Sequence, residues 1–206
     1  MKFSGFVVAA SCLCAFAGCA STPALQRTAL SADQTIDSPP PNKAQIIFLQ
    51  PFKPLGGMAE TPLYDITGGN ARLLNVLPSE GKVAVLVDPG KHMFMANDME
   101  VHVMSADVQA GKRYYVLSRF IAYVGYQLRP IRNAGSSEYG VNNPKFRAWL
   151  SETKVVGMTP AGESLYSDAS VVSKFKAAGL DKWQRLSQDE QEQLTLNAGD
   201  YINDVE

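Results

Sequence analysis

From Ala44 onward the chain breaks into short apolar runs separated by turn residues, and that spacing limits what it can fold into. Eight runs of strand length fall at 44–50, 61–66, 71–77, 82–87, 91–96, 99–105, 112–119 and 121–129. Short runs bounded by Gly, Pro, Asn and Asp are the pattern of a β domain rather than of helices. Gly68-Gly69-Asn70 supplies positive-φ positions for one reversal, and Asp88-Pro89-Gly90 has Pro and Gly where a type II turn needs them. Asn97-Asp98 suits a two-residue hairpin. The expectation is a mainly β fold, an antiparallel β-sandwich-like domain over residues 44–130. Val83-Ala84-Val85-Leu86-Val87 is apolar on both faces, as an inner strand covered on both sides would be.

Past Arg129 the texture becomes helical, and residues 131–206 are expected to form a small appendage on the β domain. Asn143-Pro144 opens a short amphipathic stretch bearing Phe146, Trp149 and Leu150. Thr159-Pro160 has the cap and first-turn residues of a longer helix, with Leu165, Ala169, Val172 and Phe175 at helical spacing and Gly179 as its end. Ser187-Gln188-Asp189-Glu190 matches a capping box opening a third helix.

The start of the chain reads as an address. Lys2 precedes a charge-free run from Phe3 to Ala20 with an apolar centre, the layout of a secretory signal. Phe16-Ala17-Gly18-Cys19 resembles the lipobox of bacterial lipoproteins, departing only at Phe16, where that family usually has Leu. The resemblance implies cleavage of residues 1–18, acylation of Cys19 and, with Ala20 following it, delivery to the outer membrane facing the periplasm. Two or more acyl chains anchor stably, at about 0.8 kcal/mol per buried methylene. Cys12 and Cys14 then leave with the signal, and the mature chain holds no free thiol. Residues 19–43 show no sustained period and end in Pro39-Pro40-Pro41, so a flexible, Pro-rich tether is expected to hold the folded part some distance from the bilayer.

Two further motifs carry a resemblance. The turn Val87-Asp88-Pro89-Gly90-Lys91-His92 is followed, after a hairpin, by Ala110-Gly111-Lys112-Arg113-Tyr114-Tyr115-Val116. Together they resemble the small β domain of unknown function found in many uncharacterised bacterial lipoproteins, and the Pro-Gly-x-His turn is similar to that of PEGA-type surface domains. The resemblance spans roughly Ala44 to Phe120 and implies a sandwich-like domain at the cell envelope with no known activity. Read by themselves, the adjacent tyrosines place one ring on each face of their strand. His92 reads as structural, its ring pairing with a loop carbonyl.

The supply of chemical groups is thin, with two histidines and three cysteines in 206 residues. Both histidines and four of the seven methionines fall between His92 and Met104. A hairpin turning on Asn97-Asp98 would put His92 on one face and Met93, Met95, His102 and Met104 on the other. The latter group is either a soft-metal cluster suited to copper(I) or an apolar filling of the sandwich. No nucleophile elbow, zinc-protease helix, phosphate loop or dinucleotide fingerprint is present. Asp65, Glu80, Asp88, Asp98, Glu100 and Asp107 include no two that the sequence singles out as the carboxylate pair of a glycan-acting enzyme.

Charge is unevenly distributed. Residues 112–147 hold seven basic side chains (Lys112, Arg113, Arg119, Arg129, Arg132, Lys145, Arg147) against Glu138, whereas 148–206 hold ten acidic and five basic. Either the acidic helices dock on the basic strands, or a basic face is exposed. In the second case Arg119, Arg129 and Arg132 are the candidate contacts for an envelope protein or an anionic glycan. The near-neutral balance, 19 basic against 20 acidic residues, argues against nucleic acid. The expectation is therefore a lipid-anchored, non-catalytic accessory or binding protein without a cofactor, with copper binding around His102 as the alternative.

Overall fold

The computed structural model describes residues 26–54, 60–134 and 137–202; the signal segment and Cys19 lie outside the described residues. The chain runs through β1 (Thr28–Leu30), β2 (Ala44–Gln50), β3 (Thr61–Asp65), β4 (Arg72–Leu77), β5 (Gly81–Val87), β6 (Gly90–Asn97), β7 (Val101–Val108), β8 (Arg113–Ile121) and β9 (Gly125–Pro130). It continues through α1 (Pro144–Glu152), β10 (Lys154–Met158), α2 (Pro160–Tyr166), α3 (Ala169–Gln184), α4 (Gln188–Gln193) and β11 (Thr195–Leu196). The fold is mainly β. One sheet has the order β1-β10-β5-β2-β8-β9 and the other β11-β7-β6-β3-β4.

The eight expected strands are β2 to β9. The sheets are mixed rather than purely antiparallel, because β2 pairs with β8, β10 with β5, and β11 with β7 in parallel. Between the sheets lies a core in which Phe48 of β2 meets Phe94 of β6 edge-on at 5.7 Å. The adjacent tyrosines divide as their alternation requires: Tyr114 joins this core, and Tyr115 faces outward against Phe146 of α1, at 5.2 Å.

Helices cover part of both outer faces. Asn143 caps α1 by accepting from the Lys145 amide, Pro144 sits in its first turn, and Phe146 and Trp149 press on Ile47, Leu49 and Tyr115. β2 is thus covered on both sides, all seven of its residues buried, and β3 is likewise buried throughout. The sequence assigned that position to Val83–Val87, but Ala84 and Leu86 point outward beyond the reach of α1, and Leu86 is 47% exposed.

On the opposite face Val172 of α3 packs with Tyr64, Ile66, Met95 and Val103. The single helix expected from Thr159 to Gly179 is two. The chain leaves helical geometry at Ser167, and Asp168 recaps it by accepting from the amides of Ser170 and Val171. Gly179 does not end α3 but lies within it: a Cβ there would stand 2.9 Å from Val101 Cγ1 and Val103 Cγ2, so the missing side chain lets the helix close on β7.

The small helices expected past residue 131 are present as α1 to α4, and between and after them β10 and β11 join the two sheets, which ties this stretch into the sandwich. The described part of the tether is not free. Thr28–Leu30 pairs with Val156–Met158, Gln34 hydrogen-bonds the backbone of Val155 through both its amide nitrogen and its amide oxygen, and Arg113 donates to the carbonyls of Ile36 and Asp37. Propensity is silent here because each contact is made with a residue more than seventy positions away.

Gly179→Val should lower stability by about 1–3 kcal/mol through overpacking against β7. Ala178→Val, at an exposed site one residue away, should cost under about 0.7 kcal/mol. Equal losses in thermal melts would show that α3 does not rest on β7 at this point.

Candidate binding groove

The hairpin carrying both histidines turns over three residues, 98–100, rather than two, and pairs Asn97 with Val101 and Ala96 with His102. An odd change of register moves one strand's side chains to the other face. Phe94, Ala96, His102 and Met104 therefore share the inner side, whereas Met95 belongs to the layer under α3 and Met93 packs against that layer. The soft-metal cluster expected of Met93, Met95, His102 and Met104 is divided by the sheet itself. The two histidines, expected on opposite faces, lie on the same one. Four residues of strand still separate His92 from the partner of His102, roughly 13 Å.

Each histidine has a different environment. His92 Nε2 donates to the Asp88 carbonyl at 2.8 Å, and Nδ1 lies 3.7 Å from Asp65 Oδ2. The neighbouring Asp65 carboxylate raises the His92 pKa above its ordinary value against the opposing effect of burial. Burial also acts to raise the Asp65 carboxyl, but the nearby His92 ring and the hydrogen bond from Thr67 outweigh it and hold the group well below the carboxylate range. His102 is 5% exposed, its Nε2 makes no hydrogen bond, and burial, then the charge of Lys182, push its pKa down to about 4. Other acidic candidates are engaged: Asp88 with Lys43 at 2.7 Å and Glu100 with Lys182 at 2.6 Å.

The basic segment is where unneutralised charge collects. Leu117, Arg119 and Ile121 follow Tyr115 along the outer face of β8, and Arg129 and Gln127 face them from β9. Phe146 and Trp149 of α1 pack into the cluster that holds Tyr115 and Leu117, while Arg119 lies farther along the strand. Beyond β9 the chain folds back through Arg132 N–H to the Tyr139 carbonyl, 2.7 Å, and Val141 N–H to the Arg132 carbonyl, 2.9 Å. That return sets the Tyr139 ring against two guanidinium groups, 5.4 Å from Arg119 and 5.0 Å from Arg129. Arg119 Nη1 donates to the Tyr139 hydroxyl at 2.6 Å, and its Nε and Nη2 to Gln127.

Beside this stack opens a groove of about 490 Å³, floored by Leu117 and Trp149 and edged by Lys53, Arg119, Lys145 and Glu138. Among the described residues no ion pair engages Lys53, Arg119, Arg129 or Lys145. Burial, then repulsion from Arg119, lowers the pKa of Arg129.

Arg132 has a different role from its neighbours. Nη1 donates to Asp200 Oδ2 and to the Thr195 carbonyl, both at 2.6 Å, and Nη2 to the carbonyls of Glu192 and Gln193 at the end of α4. It is an internal clasp and leaves the set of candidate partner contacts. Among the described residues it also forms the one ion pair joining 112–147 to 148–206, so docking of the acidic helices neutralises little of the basic segment. Arg119 and Arg129 stand out in the sequence by their charge, whereas nothing there singles out Tyr139, Lys53 or Trp149 as groove residues. The alternation along β8 and the Asn143-Pro144 cap were the signals for the floor; none marked the return of Tyr139.

Comparison with protein-family models and with curated proteins finds no match to this chain. The resemblance of the Pro-Gly-x-His turn and the Gly-Lys-x-Tyr-Tyr strand thus stands on those residues alone.

The histidines give opposite pH signatures. His92, raised when folded, stabilises fully below its unfolded pKa near 6.5 and loses that contribution as pH rises through its folded value. His102, lowered when folded, costs stability as pH falls from about 6.5 toward about 4, because the unfolded chain binds the proton first. Melting temperature should therefore peak near pH 6.5. Calorimetry from pH 4 to 8.5 should show the alkaline decline flattened in His92→Gln and the acid decline flattened in His102→Leu. Unchanged profiles in both variants would contradict these environments.

Proposed function

We propose that this chain is a lipid-anchored protein of the bacterial cell envelope, held at the outer membrane facing the periplasm, that acts as a non-catalytic accessory or binding module. The observation that carries the binding role is the Arg119–Tyr139–Arg129 stack, with Lys53 and Lys145 beside it and, among the described residues, no carboxylate paired to any of the four cations. Guanidinium groups held by aromatic rings over an apolar floor are a favoured composition for binding hot spots, and Arg reads planar anions by paired hydrogen bonds. The groove suits an acidic segment of another envelope protein, and an anionic glycan is the second source of the same chemistry. The lipobox resemblance of Phe16–Cys19 supplies the address. Among the described residues no helix is long and apolar enough to cross a membrane.

Two substitutions separate anchor from groove. Cys19→Ala should move the protein from the membrane to the soluble envelope fraction without changing its melting temperature. Arg119→Glu combined with Lys145→Glu should reduce crosslinking to the partner in intact cells about tenfold or more, since losing a charged hot-spot contact costs about 2 kcal/mol or more. Arg147→Glu, on the exposed side of α1, is the matched control and should leave crosslinking unchanged. Identical crosslinks in the double variant would rule out the groove.

A further inference from the structure

One end of the sandwich gathers the close of β2, the β6–β7 turn, the β8–β9 turn and the starts of β3 and β5. The registers fix this: Gln50 lies opposite Gly81, Thr61 opposite Leu77, Asn97 opposite Val101 and Ile121 opposite Gly125. The two turns touch, since a Cβ on Gly125 would stand 2.9 Å from Asp98 Oδ2 and 3.2 Å from Met99 Cβ. Among the described residues, large apolar side chains stand in solvent there: Phe52 at 49% exposure, Met99 at 65% and Tyr123 at 92%, with Leu30 at 71% beside the β4–β5 turn. The turns of the opposite end, at 67–70, 88–90 and 109–112, hold none of the exposed large hydrophobic residues.

Tyr123 carries a second sign. Its φ is +66°, in the left-handed region that a bulky side chain enters only at a cost and where glycine or asparagine is the ordinary choice. The chain accepts that cost at the tip of a turn and leaves the ring outside the fold. An aromatic with a polar end, on a turn that touches the turn carrying an aliphatic thioether, matches the composition that sits at a bilayer's headgroup level.

The N-terminal segment reaches the domain at this same end. Arg27 Nη1 meets Glu60 Oε2 at 2.9 Å, just before β3, and Gln26 lines a surface hollow with Pro78, Ser79 and Glu80 of the β4–β5 turn. Thr28 to Leu30 is already in the sheet. Only the seven residue steps from Cys19 to Gln26 therefore separate an anchored cysteine from the domain, a reach of at most about 25 Å.

We infer that this end of the sandwich faces the bilayer and that Phe52, Met99 and Tyr123 contact the lipid surface, orienting the domain and placing its cationic groove next to the membrane. The inference rests on the anchor proposed at Cys19. The groove shares the end, because Ile121 and Ala122 line it together with Lys53.

The absence of any thiol after Cys19 makes the test direct. Single-cysteine variants Phe52→Cys, Tyr123→Cys and, at the opposite end, Ala110→Cys are labelled with an environment-sensitive dye in the full lipidated protein. They are then placed in phosphatidylethanolamine–phosphatidylglycerol vesicles containing a lipid with a shallow nitroxide quencher. Dyes on 52 and 123 should be quenched several-fold more than the dye on 110. A parallel arm holds the chain from Ala20 onward on the same vesicles through an N-terminal hexahistidine tag and a nickel-chelating lipid. Intact mass reads acylation of Cys19 separately. An unacylated Cys19 with tip quenching retained in the chelated arm would remove the natural anchor and leave the lipid-contacting end in place. Quenching at 52 and 123 no greater than at 110 in the chelated arm would overturn the inference, whatever the mass shows.

Discussion

The pairing of β10 with β1 on one side and β5 on the other is the joint on which the organisation outside the eight central strands depends. Five residues do this work. Lys154 and Val155 align in parallel with Gly81 and Lys82, and the strand then diverges to pair Val156–Met158 with Leu30–Thr28. The contact is reinforced where Thr159 donates its amide to the Arg27 carbonyl and its hydroxyl to that of Gln26. Gly162 completes it, since a Cβ there would lie 2.3 Å from the Arg27 carbonyl oxygen. Through β10 the C-terminal helices become part of the sandwich, and the segment preceding β2 becomes a strand rather than a leash.

What could be read from the sequence follows from how local each signal is. Strands β2 to β9 announce themselves by alternation and by Gly68, Pro89, Gly90 and Gly111 at the reversals, and Asn143, Thr159 and Ser187 mark helix starts through contacts within three residues. Strands β1, β10 and β11 span only three, five and two residues, and they exist through partners far along the chain. The parallel pairing of β2 with β8 is likewise invisible to a local pattern. The hairpin register failed by a single added turn residue: Asn97-Asp98 has the composition of a two-residue loop, but the chain runs on through Met99 and Glu100 before re-entering the sheet, against the β8–β9 turn. That change alone separated Met93 and Met95 from His102 and Met104.

The candidate site teaches the same lesson about charge. Arg119, Arg129 and Arg132 are equivalent by composition, yet the fold gives them different duties. Four carbonyl and carboxylate oxygens close around Arg132, and it holds the end of α4 to the turn at Asp200. Arg119 and Arg129 meet neutral amides and the face of Tyr139 instead. Neutral partners fix the direction of a guanidinium without cancelling its charge, so these two retain the capacity to bind an anion.

With the anchor proposed at Cys19, position relative to the membrane would link these features. A leash as long as residues 19–43, flexible throughout, would let the domain stand about 27 Å away. Capture of residues 28–30 by β10 shortens it to the steps preceding Gln26, and the end of the sandwich reached there is the one with exposed Phe52, Met99 and Tyr123. Neutron reflectometry on the lipidated protein at a supported bilayer tests this most directly. Protein density should be continuous with the headgroup layer. A hydrated gap of about 27 Å between the headgroups and the protein, the span expected of a free tether, would contradict it.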